Sequence, residues 1–563
     1  MRYAMILVLG ISSLLSAIPA FPGAQGWGAN SRGGRSGAVL SGRAYDTRVI
    51  HVTNLTSSGS GSLAAALAVG GPRVVVFDVS GVIDLKQTNL LVSSYCTIAG
   101  QTSPGGIAYI NGGIYARPGS TVDLFGPTWQ CNKDIIIRFL RGRSSTFHGG
   151  DDNIRLEYTH EAIVDHCSFD NCCDEIVDIE YAYNQSFSSC IIAESNVGCG
   201  GETNYHGFQG SNTVQISLLG CLFEHHSCRV PMVDNCYSVT CPSQTGAFEL
   251  VNNVLYNCQK SQTFEHNNSA PVNLVGNYLK SGPDFAYPSG APAAWDASSN
   301  GMTVHLEGNY NPAFPTLQQT SFINGGGRSG TIIQPANFAN FATGQQAYTD
   351  AVAKCGAIPR DSCDRRLIRE MQAGTGKWRV LNSEETTTGA LIPRDPLNFP
   401  TWAKPQDSDR DGMPDAWEIA HGLNPNDSTD VKTSMNGGYD AIEVYINELA
   451  DTLIATGKWP STWVEKSPAA VPANSRVWTF PNPLNTGTTV FFSLSSSRQV
   501  DVSIYDVRGT LVSSLFSGHN SAGEHSLLWN GRRSDGSAAP AGTYFVKVLS
   551  EGAQAANKIV LFQ

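Results

Sequence analysis

A short apolar pattern that recurs seven times between residues 135 and 310 constrains this chain more than any other feature. It reads IIIRFL at Leu140, IVDHCSF at Cys167, FSSCII at Cys190 and ISLLGCLF at Cys221, then LVNNVLY at Asn253, LVGNYL at Asn277 and HLEGNY at Asn309. Aligned on those residues, the steps are 27, 23, 31, 32, 24 and 32 residues. Self-similarity at such periods marks a solenoid, whose units bury their apolar faces only against their neighbours. The units alternate with period two and carry no helical spacing, so they predict strands, separated by turns rich in Gly, Asn and Ser. The fold class expected is all-β: a right-handed parallel β-helix whose equivalent residues stack about 4.8 Å apart. A column of Cys and then Asn suits such stacking, with thiols packed inside and amides bonding their own kind. A β-sandwich would explain neither the uneven steps nor the constant core.

Loops projecting from one side of a stack are where functional side chains are usually carried. Asp152 lies one coil before Asp174 and Asp178, and Arg229 about two coils after them, so the four could share one lateral groove.

The chain has 563 residues, enough for more than one domain. Residues 1–20 combine Arg2, an apolar run and small residues at Ala17 and Ala20, as a cleaved secretory signal does. The mature chain is expected to be secreted, extracellular or attached to the cell surface. All fourteen cysteines lie between Cys96 and Cys363. Cys355 and Cys363 flank a short loop and are expected to pair, as are Cys236 and Cys241, whereas the column cysteines read as buried thiols. The formal net charge of −11 argues against a nucleic-acid partner and offers no general attraction to an acidic polymer. If the substrate is anionic, cation binding must be local or supplied by metal.

Phe21-Pro22-Gly23-Ala24-Gln25-Gly26-Trp27-Gly28, followed by Gly33-Gly34-Arg35, resembles the start of secreted bacterial pectate lyases of the parallel β-helix type. So do Val76-Phe77-Asp78-Val79-Ser80-Gly81, Thr97-Ile98-Ala99-Gly100-Gln101-Thr102, Val164-Asp165-His166-Cys167-Ser168 and His225-His226-Ser227-Cys228-Arg229-Val230-Pro231. The resemblance spans roughly residues 21–400. It implies calcium-dependent β-elimination on polygalacturonate, with Asp152, Asp174 and Asp178 at the calcium positions and Arg229 as the base that removes the C5 proton. The acids make physical sense, because a hard cation takes carboxylate oxygens and neutralises the substrate carboxylate. An arginine base does not follow from residue chemistry, since guanidinium is charged at any working pH; taken alone it would be an electrostatic clamp.

Two departures from the family stand out. Met232 and Asp234 follow the arginine where further basic residues are usual, and the lysine of the preceding coil is replaced around Tyr205-His206-Gly207-Phe208-Gln209-Gly210. Arg141, Arg143 or His206 are the candidates to bind substrate in their stead. Asp165-His166 reads as a buried structural pair, His225-His226 as groove lining and Asp151 as a support for the metal acids.

After Trp402 the composition changes. Asp407, Asp409, Asp411, Asp415 and Glu418 sit at positions 1, 3, 5, 9 and 12 of an EF-hand-like loop with Gly412 at position 6, so a second, structural calcium is expected there. A short helix from Trp417 to His421 should follow, stopped at Gly422. Asn436-Gly437, Asp440 and Glu443 read as an eroded second copy. The domains expected are a signal at 1–20, the β-helix at 21–402, the calcium-loop segment at 403–466, a linker at 467–475 and an Ig-like β-sandwich at 476–563. Asn482-Pro483, Tyr505-Asp506-Val507-Arg508-Gly509 and Gly542-Thr543-Tyr544-Phe545 resemble type IX secretion-sorting and flagellar-hook-type Ig-like modules. That resemblance implies outer-membrane secretion machinery as a partner; a carbohydrate-binding module is the competing reading.

The enzyme expected is a lyase cleaving the pectin backbone, an acidic plant cell-wall polysaccharide, to 4,5-unsaturated products, acting as a monomer. Two alternatives remain at this level. One is a β-helix hydrolase using Asp151, Asp152 and Asp174, although the histidine and Arg-x-Lys motifs of that class are missing. The other is a non-catalytic polysaccharide-binding protein.

Overall fold

The computed structural model describes residues 18–40, 43–117, 131–145, 151–197, 206–235, 247–259, 271–287, 295–296, 302–325, 327–334, 336–338, 340–388, 391–400, 402–460, 478–480, 488–494, 498–507, 510–521, 523–550 and 553–561. The chain forms two compact units, Met1–Thr462 and Trp463–Gln563.

The first unit is a parallel β-helix built on three sheets. One begins at Val49–Val52, passes through Asn132–Arg138, Thr159–Asp165 and Tyr183–Ser188, and ends at Gly327–Ser329. A second stacks eight strands from Gly81–Asp84 to Tyr278–Lys280, including Leu140–Gly142, Ser168–Asp170, Ile191–Ala193 and Leu222–Glu224. The third carries Ile114–Ala116, Ile154–Glu157, Glu175–Glu180 and Met232–Asn235; the long strand His206–Leu219 belongs to the third sheet at its start and the first at its end. The chain visits the sheets in rotation, and one apolar core runs inside them, from Val52 to Ile323.

Each repeat straddles a corner rather than forming one strand. A strand of the first sheet ends, one residue takes a left-handed conformation, and the aligned residue opens the second sheet. The turning residues are Phe139, His166, Ser189, Gly220, Asn252, Gly276 and Gly308, with φ between 48° and 67°. An L side chain resists that conformation by roughly 1 kcal/mol or more, so the ladders on both sides must hold it. The column then does what its chemistry allows. Cys167, Cys190 and Cys221 are buried free thiols. Asn253 Nδ2 donates to Asn277 Oδ1 at 3.0 Å, Asn277 Nδ2 to Asn309 Oδ1 at 2.9 Å, and Gln319 Oε1 accepts from Asn309 Nδ2 at 3.2 Å to close the row.

Cys355 and Cys363 are not paired. Both are free buried thiols; Cys355 Sγ meets Gly220 O at 2.9 Å and Cys363 Sγ meets Asp170 Oδ2 at 3.2 Å, so each is used by a different coil. Cys173 is disulfide-bonded. Cys236, Cys241, residues 1–17 and the 467–475 linker lie outside the described residues.

The segment after Trp402 packs on the wall of the β-helix. Its helix Ala441–Thr456 is opened by a capping box of Asp440 and Glu443. Glu443 also takes Arg35 Nε on both oxygens, at 3.0 and 2.8 Å, and Asp440 accepts from Ser36 N at 2.7 Å. These two acids, which read as remnants of a second calcium loop, therefore cap a helix and anchor it.

The second unit is a β-sandwich. Trp478–Phe480, Thr488–Leu494 and Gly523–Trp529 form one antiparallel sheet; Leu511–Asn520, Arg498–Asp506, Gly542–Ser550 and Ala553–Leu561 form the other. Val490, Phe492, Val502, Trp529 and Val546 are among the side chains buried between them. No helix among the described residues is long and apolar enough to cross a membrane.

Candidate active site

The outer face of the third sheet carries a column in strict register: Tyr115, Arg155, Asp178, Gln209 and Met232. Alternation puts Ile154, Leu156, Val177 and Ile179 on the core side and leaves these residues facing outward. A second row at the sheet edge aligns Glu175, His206 and Cys228. Asp152, Asp174 and Arg229 enter from the corners that precede three of these strands.

The polar groups form one connected network. Glu175 N donates to Asp152 Oδ1 at 3.1 Å. Arg155 lies between the two buried acids, with Nη1 3.4 Å from Asp152 Oδ2 and Nη2 3.3 Å from Asp178 Oδ2. Gln209 Nε2 donates to Asp178 Oδ1 at 3.4 Å. At the edge, His206 Nδ1 lies 3.2 Å from both Asp174 Oδ1 and Glu175 Oε1, and Arg229 Nη1 pairs with Glu175 Oε1. Arg229 itself takes a left-handed φ of 54°.

Burial and close charged partners together shift the groups of this wall. Asp152 and Asp178 are almost wholly buried. Burial pushes Asp178 up to about 7 against the opposing pull of Arg155, with Glu180 and Asp174 adding to the rise. Asp152 is raised well above the usual carboxylate range by burial and by Asp178. His206 rises to about 9: burial alone would lower it, but the Asp174 carboxylate and the Cys228 thiol outweigh that.

The sequence-derived residues thus fall into groups. Asp152, Asp174, Asp178, Arg229 and His206 share one wall. Arg141 and Arg143 do not: they are 1% and 0% exposed on the second-sheet side. Arg143 pairs with Asp170, Asp361 and Asp364, and Arg141 lies 3.8 Å from Asp361, so both cations are spent inside the protein. His225 and His226 do not line the groove either. Both are buried; His226 Nε2 faces Ile192 O at 2.8 Å and His225 Nε2 faces Glu224 Oε1 at 3.1 Å. Asp165-His166 is a buried pair, as expected, held at 2.9 Å. Sequence reasoning missed Arg155 and Glu175. Both were visible in principle, one as the outward position of the Ile154-Arg155-Leu156-Glu157 alternation and the other beside Asp174.

Carboxylates without a thiolate suit calcium in type. Asp152, Asp174 and Asp178 nevertheless stand in two sets, one bridged by Arg155 and the other gathered with Glu175 and His206, whose ligand atoms lie within 4.8 Å of one another. A cation shared by Asp152 and Asp178 has to displace the guanidinium. In the downstream loop, Asp407, Asp409 and Asp411 bring ligand oxygens together, and Glu418 approaches Asp411. Asp415 does not join them, because Ser408 N and Oγ both donate to its carboxylate at 2.7 Å.

A "Probable pectate lyase C" of Aspergillus flavus is 30% identical over 470 residues, which is 80% of this chain and 99% of that one. The chain belongs to the pectate lyase family. It is therefore an enzyme of the polysaccharide lyase class. A "Probable pectate lyase C" of Aspergillus oryzae gives the same identity and coverage. A solved "Pectate lyase bound to hexasaccharide" is 13% identical with a TM-score of 0.42, spanning 61% of this chain and 98% of that one. In the second unit, residues 485–554 match the FlgD Ig-like domain.

Proposed function

We propose that this pectate lyase is exported and cleaves polygalacturonate by calcium-dependent β-elimination on the outer face of its third sheet. The observation that carries the reading is the network in which Arg155 joins buried Asp178 to Asp152, and Glu175 joins Asp152 to Arg229. In the reaction the C5 proton leaves, the C4–oxygen bond to the next sugar breaks, and a C4–C5 double bond forms. Arg229 is the proposed acceptor of the C5 proton, a role carried over from the family resemblance. Arg229 pairs with Glu175, so to act as base it must leave that pair and first give a guanidinium proton to solvent; the departing C4 oxygen then takes a proton from water. Asp152, Asp174 and Asp178 would hold calcium, which neutralises the uronate carboxylate beside the carbon that is deprotonated. Arg155 is already seated between Asp152 and Asp178, and it can turn to the uronate when the acids take metal. The FlgD-like unit is read as a sorting or attachment module and the 407–418 loop as a structural calcium site.

Incubating the whole protein with polygalacturonate tests this. Ultraviolet-absorbing unsaturated ends that vanish with chelator are expected. Reducing ends without absorbance would mean hydrolysis, and neither would mean a binding protein; both overturn the proposal.

A further inference from the structure

We infer that Asp430, which lies outside the acidic loop, is a ligand of the loop's calcium in place of Asp415, and that the ion pins the turn at 424–432 to the loop. The inference rests on reading residues 407–418 as a calcium loop and goes one residue and one role further.

Four aspartates each give one oxygen to the backbone. Asp407 Oδ2 accepts from Gly412 N at 3.2 Å, Asp409 Oδ1 from Asp411 N at 3.3 Å, Asp411 Oδ1 from Met413 N at 2.8 Å and Asp430 Oδ2 from Asn424 N at 2.9 Å. The other oxygen of each is buried without a hydrogen-bond partner. Glu418 is 0% exposed, and neither of its oxygens has a partner. Ligand oxygens of Asp411, Glu418 and Asp430 lie within 4.8 Å of one another, as do those of Asp407, Asp409 and Asp411, so Asp411 joins the two sets. Acidic loops with internal hydrogen bonds are common and bind nothing. A fully buried carboxylate with both oxygens unmatched is different, since its desolvation has no protein group to offset it. The inward oxygens are one from each aspartate and two from Glu418, six in all, within the six to eight that calcium takes.

The consequence is mechanical. His51 Nε2 meets Arg410 O at 3.0 Å, and a Cβ on Gly412 would come within 2.9 Å of Val49 Cγ1, so the loop is seated on the first coil. Two residues past Asp430, Lys432 Nζ reaches Asp46 Oδ2 at 2.6 Å. An ion holding Asp430 closes a ring from the β-helix wall, through loop and turn, back to the wall.

Calorimetric titration of the whole protein with calcium tests the inference, using wild type, D407N/D411N, D430N and D415N. D407N/D411N should lose one class of site. D430N should weaken that class at least tenfold and D415N less than threefold. If the double variant titrates like wild type, the loop binds no calcium and both readings fall. If the double variant loses a site that D430N keeps at full affinity, only the Asp430 assignment falls; equal weakening in D415N overturns the exchange. Limited proteolysis of the wild type needs no variant: calcium should protect residues 422–433 from cleavage, and unchanged cleavage there contradicts the clasp.

Discussion

A guanidinium wedged between two buried carboxylates bridges them in the protein alone. Arg155 is still 19% exposed at its side chain, so the cost of removing it sits below that of a fully buried pair. R155Q should lose roughly 2–4 kcal/mol in chelator, because Asp152 and Asp178 are left facing each other. Calcium should restore most of that loss; thermal melts with chelator and with calcium check it, and a variant melting with the wild type in chelator contradicts the bridge. Glu249 makes a separate point about pH. It is buried on the first sheet, accepting from Ser217 Oγ at 2.5 Å and Asn337 N at 2.7 Å, and burial pushes it up to about 7 despite both bonds. Its folded value lies above its unfolded one, so its contribution is intact near pH 4 and is lost as pH rises through about 7. E249Q should match wild type at pH 4.5 and exceed it by up to about 3 kcal/mol at pH 8.5. Urea unfolding at both values decides, and a pH-independent difference would contradict the assignment. That Asp152, Asp174, Asp178 and Arg229 share one wall was readable from motif order. The partners of Arg141 and Arg143 were not, because Asp361 and Asp364 come from a segment about 220 residues later whose placement no local pattern specifies.

Among the elements, the asparagine row shows how a side chain can hold a corner. Asn277 Oδ1 accepts from both Asn253 N and Asn253 Nδ2, while Asn277 Nδ2 reaches Leu250 O at 2.8 Å. N277A therefore strands buried donors and an acceptor in adjacent coils, and should cost roughly 3 kcal/mol. Denaturant unfolding measures it, and a loss under about 1 kcal/mol would mean the row is incidental. The row was legible from seven aligned residues. The corner was not, since Phe139, His166 and Ser189 carry no glycine to announce a left-handed turn. Asp440 and Glu443 misled for the opposite reason: an acidic pair three residues apart fits a capping box and a metal loop equally well until the helix behind it is known.

For the molecule as a whole, the stack converts distance in sequence into adjacency on one sheet. Residues 152 to 232 become neighbours because each coil returns to the same face. The long β-helix and the separate C-terminal sandwich followed from periodicity and turn residues. That the calcium-loop segment lies on the β-helix wall did not, because its anchors pair Arg35 and Ser36 with residues some 400 positions away. The most direct measurement is the rate of unsaturated-product formation from polygalacturonate by R229A, alongside its melting temperature. The rate should fall at least about 100-fold while melting stays near wild type. A folded R229A that eliminates within threefold of the wild-type rate would contradict the account.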